Sequence, residues 1–171
     1  MALPADWLVR AMRADDLDAV LAVQLACYGA GFVESGEVIA RRLAAAPQTG
    51  WVTEHQGRVR AYLAGYPSVA GKLTPLHGEF EVATAPDSLY LHDLAVHPNA
   101  AGLGLGPWLV RHAWAHAAQA GWRHSTLVSV QSAVGFWERQ GYAPAQPAGQ
   151  EQQARLATYP GDSVFMMRQL G

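Results

Sequence analysis

Apolar residues recur along the chain at helical spacing in four stretches. From 17 to 28 they follow one helical face, and two aspartates directly before this stretch suit the positive end of a helix dipole. Ser35 is placed to cap a second helix over 36–45. The same spacing predicts two further helices, over 106–120 and 132–140.

Other segments carry the alternating or β-branched pattern of strands. We predict six strands, over 7–12, 51–54, 59–66, 89–96, 125–130 and 162–170. Residues 55–58 are expected to form a hairpin turn, whereas 67–88 contains three prolines and predicts a long loop, of a length usually associated with function. The order β-α-α-β-β-β-α-β-α-β predicts one α+β domain over residues 1–171 with a mixed sheet.

Composition narrows the class of protein. A length of 171 residues fits one domain, and half of the residues are apolar whereas 15 % are charged, as in globular proteins. The formal net charge is −2, and there are no long charged runs. The charge pattern therefore gives no indication that the protein binds nucleic acid or an anionic membrane. Cys27 is the single cysteine, which excludes an intramolecular disulfide framework. We recognise neither a signal peptide nor an apolar run near the ~20 residues of a membrane helix, and therefore expect a soluble cytoplasmic protein.

Three alternating glycines, Gly102, Gly104 and Gly106, lie between a predicted strand and a predicted helix. They remove Cβ atoms where a ligand approaches and permit positive φ, while the helix offers unpaired N–H groups to a pyrophosphate. A P-loop would need a lysine here, and a dinucleotide-binding fingerprint would need glycine where Pro107 stands. The remaining kinase motifs are absent. Taken alone, a tight connecting turn without a ligand is the simpler interpretation.

The sequence around this turn resembles motif A of the GCN5-related N-acetyltransferase (GNAT) superfamily. Residues 90–106 read YLHDLAVHPNAAGLGLG, a strand that ends in Val-x-Pro, then a loop and a glycine turn that opens a helix. Residues 133–142, AVGFWERQGY, are similar to motif B, at the expected separation. The resemblance implies a single-domain GNAT fold, with a mixed, mostly antiparallel central sheet and helices on both faces. It also implies N-acetyl transfer from acetyl-CoA, and dimers are common among proteins that this chain resembles.

The resemblance further implies an acetyl-CoA site in which strand backbone binds the pantetheine arm and turn amides bind the pyrophosphate. Its residues would be Leu94, Ala95, Val96, Gly102, Leu103, Gly104, Leu105, Gly106, Pro107, Phe136 and Trp137. Two positions depart from the family pattern. Ala101 replaces the usual Arg or Gln at the head of the turn, and Trp137 replaces a frequent tyrosine. No metal is expected, because His112 and His116, four apart on a helix, lack a third ligand.

His92 is the candidate general base, because an alkylamine arrives protonated and histidine titrates near neutral pH. In a regular strand Tyr90 and His92 share one face, whereas Asp93 lies on the other. The sequence Leu-His-Asp-Leu-Ala-Val-His resembles that of the arylalkylamine (serotonin-type) N-acetyltransferase branch. Enzymes of this branch carry two catalytic histidines and a tyrosine that acts as the general acid. Here Tyr90 occupies the first histidine position and His92 the second, and Tyr90 is favoured over Tyr142 as the acid because it shares the face of His92. A structural, hydrogen-bonded His92 is the alternative.

The acceptor is expected to be a small primary amine, recognised by the first two helices and the loop over 67–88. Five acidic residues could attract a cationic amine or could be ordinary surface charges: Glu34, Glu37, Glu79, Glu81 and Asp87. Two other functions stay open. One is peptide or protein N-acetylation, and the other is a catalytically weak CoA-binding sensor or interaction module, suggested by Ala101 and Trp137.

Overall fold

A computed structural model describes residues 2–171 as a seven-stranded sheet covered by helices. The strands are β1 (Trp7–Ala11), β2 (Gly50–His55), β3 (Arg58–Ser68), β4 (Ser88–Val96), β5 (His124–Ser129), β6 (Ala143–Pro144) and β7 (Val164–Gln169). The helices are α1 (Leu17–Cys27), α2 (Gly36–Ala45), α3 (Leu105–Gln119), α4 (Val134–Arg139) and α5 (Gly149–Leu156). Short 3₁₀ turns cover Ala14–Asp16, Ala30–Phe32 and Pro98–Ala100.

The strand order is β1-β2-β3-β4-β5-β7-β6, and every neighbouring pair is antiparallel except β4 and β5. The predicted α+β class and mostly antiparallel mixed sheet are therefore confirmed. All ten predicted elements are present, but β6 and α5 were missed. Strand β6 has two residues, and α5 buries none of its side chains, so neither carries an apolar period.

Helices cover both faces of the sheet, as predicted. On one face α3 packs Leu105 and Leu109 against Leu63, and on the other Val20 of α1 packs with Tyr62. Neighbouring residues of β3 thus enter opposite cores, as the period of two along a strand requires. Burying each large apolar side chain contributes about 1.5–3 kcal/mol, so the two cores hold the helices to the sheet.

The turn between β2 and β3 is a tight hairpin, as predicted. Gln56 and Gly57 have φ of 51° and 73°, the left-handed conformation that two-residue hairpin turns need at both central positions. This turn lies at the end of the sheet, and a Cβ atom at Gly57 would contact nothing within 4 Å. Gly57 is therefore a suitable control site for measuring the effect of backbone strain alone.

A β-bulge interrupts the pairing of β3 with β4 at His92. Ala64 pairs with Asp93 and Gly65 with Leu91, so His92 is an extra residue without a partner on β3. A side chain at Gly65 would collide with the carbonyl oxygen of Tyr90, which is why glycine is needed there. Because of the bulge, the Asp93 side chain lies on the face of the sheet that α1 covers. There its carboxylate accepts a hydrogen bond from a tyrosine hydroxyl. The prediction that His92 and Asp93 lie on opposite faces was therefore wrong.

Strands β4 and β5 separate part-way along their length. They pair in parallel over 88–91 and 124–127, after which β5 continues beside β7 and β4 continues beside β3. The separation leaves a V-shaped opening in the middle of the sheet. This opening forms a cleft lined by residues of both strands.

Candidate active site

The cleft between the separating strands has a volume of about 290 Å³. Six of the residues that the sequence singled out line it: His92, Leu94, Val96, Gly106, Phe136 and Trp137. The first three come from β4, Gly106 from the start of α3, and the last two from α4. The strand and the two motif helices thus meet at one opening, as the resemblance implied.

Backbone carbonyls of β4 are held by the C-terminal end of α1. The Leu94 oxygen accepts a hydrogen bond from the Tyr28 hydroxyl at 2.8 Å, and the Val96 oxygen accepts one from the Cys27 thiol at 3.1 Å. Burial raises the pKa of that thiol, and Asp93 adds to the rise, which keeps the thiol protonated. Ala95 instead buries its methyl group beside Tyr62, so its predicted part in the cofactor site would rest on backbone.

The glycine turn has the geometry of an anion site. Gly102 and Gly104 have φ of 81° and 76°, and Gly104 caps the fifteen-residue helix α3, with Pro107 in its first turn. Within the described residues, the amides of 102–106 donate to no acceptor in the protein. Gly106 is packed against the ring of Phe136, where a Cβ would lie 3.6 Å from Cζ. Free amides at a helix N-terminus suit a pyrophosphate, so these residues fit acetyl-CoA.

His92 lies between the cleft and a smaller pocket of about 30 Å³. The pocket is lined on its other sides by Tyr28, Phe32, Leu76 and Tyr159. The imidazole is 3 % exposed, and Nε2 is 3.0 Å from Oε1 of Glu34. Nδ1 is buried and has no hydrogen-bond partner among the described residues.

Glu34, which directly precedes the cap of α2, is the buried carboxylate of this pocket. It is 4 % exposed and forms a two-pronged ion pair with Arg42, with N–O distances of 2.7 and 2.5 Å. The His77 amide donates to Oε2 at 3.0 Å. Burial acts to raise the pKa of Glu34, but the hydrogen bonds from His92 and Arg42 outweigh it and hold the pKa well below its usual range. Glu34 is therefore an anion at neutral pH.

Asp93 is the second buried carboxylate, and it joins α1 to the sheet. Its oxygens accept from the hydroxyls of Tyr28 at 2.6 Å and Tyr62 at 2.5 Å. Burial raises its pKa, and the tyrosine hydrogen bonds only partly offset this. Asp93 thus joins α1 to the sheet, on the face opposite to the one predicted for it.

The tyrosines considered as proton donors lie away from the cleft. Tyr90 shares the His92 face, with ring centroids 6.2 Å apart, but it is fully buried against Tyr66 and lines neither cavity. Burial raises its pKa well above the usual value. The Tyr142 hydroxyl bonds to Ser125 and Trp114, and burial raises its pKa to about 12. Trp137, where the family has its frequent tyrosine, does line the cleft.

Three other candidates, His112, His116 and Glu79, take part in packing or an ion pair. His112 and His116 both contact the ring of Trp51, and the described residues contain no group of three His, Cys, Asp or Glu placed to hold a metal. Glu79 pairs with Arg41 on the surface. Among the described helices none is long and apolar enough to cross a membrane. Glu34 is the member of the five acidic candidates that reaches the pocket.

Sequence reasoning missed three aromatic residues of the pocket, namely Tyr28, Phe32 and Tyr159. Tyr28 follows α1, and Phe32 belongs to a 3₁₀ turn, where no periodic pattern marks a side chain as inward. Tyr159 follows α5, which was itself not predicted. No motif connects these positions, so the signal was absent from the sequence.

A model of the acetyltransferase (GNAT) family matches residues 17–142. The chain belongs to this family. The match confirms the predicted superfamily and, at that level, an acetyl-CoA-dependent N-acetyltransferase. The matched residues contain the separating strands, the glycine turn and the start of α3, so the acetyltransferase motif and the cleft coincide.

Solved structures share the fold of this acetyltransferase at low identity. One is the GphF GNAT-like decarboxylase in complex with isobutyryl-CoA, 18 % identical, with a TM-score of 0.74 over 96 % of this chain and 100 % of that one. Another is the ribosomal-protein-S18-alanine N-acetyltransferase from Escherichia coli, 16 % identical, with a TM-score of 0.70 over 96 % and 94 %. A GNAT family acetyltransferase from Brucella melitensis in complex with acetyl-CoA is 23 % identical, with a TM-score of 0.60 over 92 % and 94 %. No curated protein matches the sequence.

Proposed function

We propose that this acetyltransferase acetylates a small primary amine that binds in the pocket beside His92. The observation that carries the proposal is that the His92 imidazole lines both the cleft that fits acetyl-CoA and the smaller pocket. A base in that position lies between the two substrates.

The lining of the pocket supports an amine with an apolar body. Phe32, Leu76 and Tyr159 supply apolar surface, while the carboxylates of Glu34 and Asp93 favour a cation. Arg42 neutralises one of the two carboxylates. An arylalkylamine, the class suggested by the wording of residues 91–97, satisfies both requirements.

Bound acetyl-CoA would supply an acetyl thioester, whose C–S bond breaks as the C–N bond to the amine forms. The free lone pair of His92 accepts the proton that the amine must lose. Leu94 and Val96 position the arm of the co-substrate through their backbone, and the amides of 102–106 hold its pyrophosphate. Trp137 offers an N–H hydrogen bond but no proton near neutral pH. A thiol-like leaving group, with a pKa of ~8.5, departs without a strong acid.

A free-thiol release assay with acetyl-CoA tests this function. The panel would contain an arylalkylamine, an alkyl diamine, an amino acid and a peptide with a free N-terminus. We expect the highest kcat/KM with the arylalkylamine and none with the corresponding aryl alcohol. Release with the peptide alone would replace the small-molecule proposal by peptide N-acetylation.

A second candidate function is a CoA-binding sensor without catalytic activity. It is supported by Trp137 and Ala101, because both positions lack a functional group that the family commonly uses. The same assay separates the two functions when it is paired with calorimetry. Binding of CoA without thiol release for any amine in the panel would favour the sensor.

A further inference from the structure

Glu34 and His92 form a buried contact whose donor is determined by chemistry. An ionised carboxylate only accepts hydrogen bonds, and an imidazole nitrogen can either donate or accept. Because Oε1 of Glu34 lies 3.0 Å from Nε2 of His92, that nitrogen must carry the hydrogen. In the neutral imidazole the other nitrogen, Nδ1, then holds the free lone pair.

Several groups hold Glu34 in this position. Arg42 contacts both carboxylate oxygens, and the His77 amide contacts Oε2. The side chain of Gln24 bonds to both the N–H and the carbonyl of Glu34, at 3.0 and 2.9 Å. The side chains of Glu34, Arg42 and Gln24 are all buried. An acid that is fixed on every side and kept ionised is unsuited to accept the amine proton itself.

We propose that Glu34 is a positioning residue that fixes His92 in the tautomer with hydrogen on Nε2, so that Nδ1 receives the proton of the amine. The inference rests on the proposed function, because it assigns a partner to the proposed base. Once His92 has taken the proton, the carboxylate also stabilises the imidazolium. Arg42 of α2 keeps the carboxylate in place, and its positive charge limits how strongly the carboxylate stabilises the imidazolium.

A matched ion pair elsewhere in the chain separates positioning from stability. Asp16 is also buried and accepts from Arg10 through both oxygens, at 2.7 and 2.8 Å, and from the amide of Arg13. It lines neither the cleft nor the pocket. Glu34→Gln and Asp16→Asn therefore each remove the charge of one buried carboxylate that is paired with an arginine, but only the first touches a candidate base.

The tautomer can be measured on the unaltered protein. Long-range ¹H–¹⁵N correlation spectra of the full chain labelled with ¹⁵N-histidine distinguish a protonated from an unprotonated ring nitrogen, and the spectrum of His92→Gln assigns the signal. Above the pH at which the ring is charged, we expect hydrogen on Nε2 and a free Nδ1. Hydrogen on Nδ1 would overturn the proposal, and the tautomer itself is read from the unaltered protein, because the variant serves only to assign the signal.

The pH dependence of kcat/KM gives the second measurement. Charged and titratable groups around His92 are Glu34 and Arg42 from the α2 region, His77 from the loop over 69–87, Asp93 from β4, and the tyrosines Tyr28, Tyr90 and Tyr159. With Glu34→Gln we expect at least a tenfold lower kcat/KM, within the roughly 10²–10⁴-fold contribution of a general base. The acidic limb should move to lower pH, because a negative neighbour of the imidazolium is lost.

Arg42→Met should move the acidic limb in the opposite direction, because the carboxylate is then uncompensated, and Asp16→Asn should leave it in place. If Glu34→Gln and Arg42→Met move it in the same direction, or neither moves it, the pair is structural and the proposal fails. Full activity of His92→Gln would instead refute the proposed base. Loss of activity in His92→Gln together with hydrogen on Nδ1 would refute the positioning role alone.

Discussion

The two halves of the site are assembled differently. The half that fits acetyl-CoA comes from one continuous segment, β4 through the start of α3, together with α4, and its turn presents backbone amides that have no acceptor within the described residues. The pocket half consists of side chains from the α1–α2 connection, the loop over 69–87, strand β4, the end of β5 and the segment after α5. Backbone geometry can be kept by a short motif, whereas the pocket depends on long-range packing. We therefore expect changes in the first half to affect binding of acetyl-CoA and changes in the second to affect turnover.

The largest effect expected from this comparison is on His92, which borders both halves. His92→Gln should lower kcat by about 10²–10⁴-fold, the usual contribution of a general base, because no neighbouring group is free to take the proton. The KM for acetyl-CoA should change little, since the turn and the β4 carbonyls are unaffected. Steady-state kinetics with both substrates varied provides the check. A loss in affinity for acetyl-CoA as large as the loss in kcat would mean that His92 belongs to the half of the site that fits acetyl-CoA.

A smaller effect is expected for the glycine turn. Gly102→Ala would place a side chain at φ 81°, which costs about 1–2 kcal/mol of backbone strain and shifts the free amides. CoA affinity should fall about tenfold, near the loss of one hydrogen bond to a charged group, ~1.5 kcal/mol. Isothermal titration calorimetry measures this directly.

Gly57→Ala is the matched control for that experiment. Gly57 has φ 73°, and a Cβ there also meets nothing within 4 Å, but the residue lies in the β2–β3 hairpin. Both variants should lose similar stability in urea unfolding, whereas only Gly102→Ala should weaken CoA binding. Equal CoA affinities in the two variants would contradict an anion site in the turn.

The smallest effect is expected for Tyr90, whose role as proton donor stays a prediction. Its hydroxyl is fully buried without a partner among the described residues, and it reaches neither cavity. Tyr90→Phe should therefore leave kcat and its basic limb nearly unchanged. A loss near 10²-fold, as for an acid in the rate-limiting step, would show that the proton reaches the leaving group through this hydroxyl.

The difference between the halves also explains what the sequence could predict. Gly102, Gly104 and Phe136 sit in contiguous motifs, so the cofactor half was recognisable, and long periodic elements were placed correctly. The bulge at His92 leaves no trace in the alternation of residues, so Asp93 was assigned to the wrong face. Glu34 was one acidic candidate among five, because its partner His92 lies 58 positions away in the chain. Helix α5 is mostly polar, with Leu156 as its one large apolar residue, so its position depends on contacts rather than on a periodic pattern.

The loop over 69–87 and the segment around α5 contact each other closely. The Gln152 side chain accepts from the Leu73 amide, and the Thr158 hydroxyl accepts from the Leu76 amide, both at 2.9 Å. The Tyr159 hydroxyl in turn donates to the Thr74 carbonyl at 2.7 Å. Two segments about eighty positions apart thus form one wall of the pocket. For directed evolution of acceptor range, libraries that vary only one of them would break this wall, so the two segments should be randomised or exchanged between homologues as a unit.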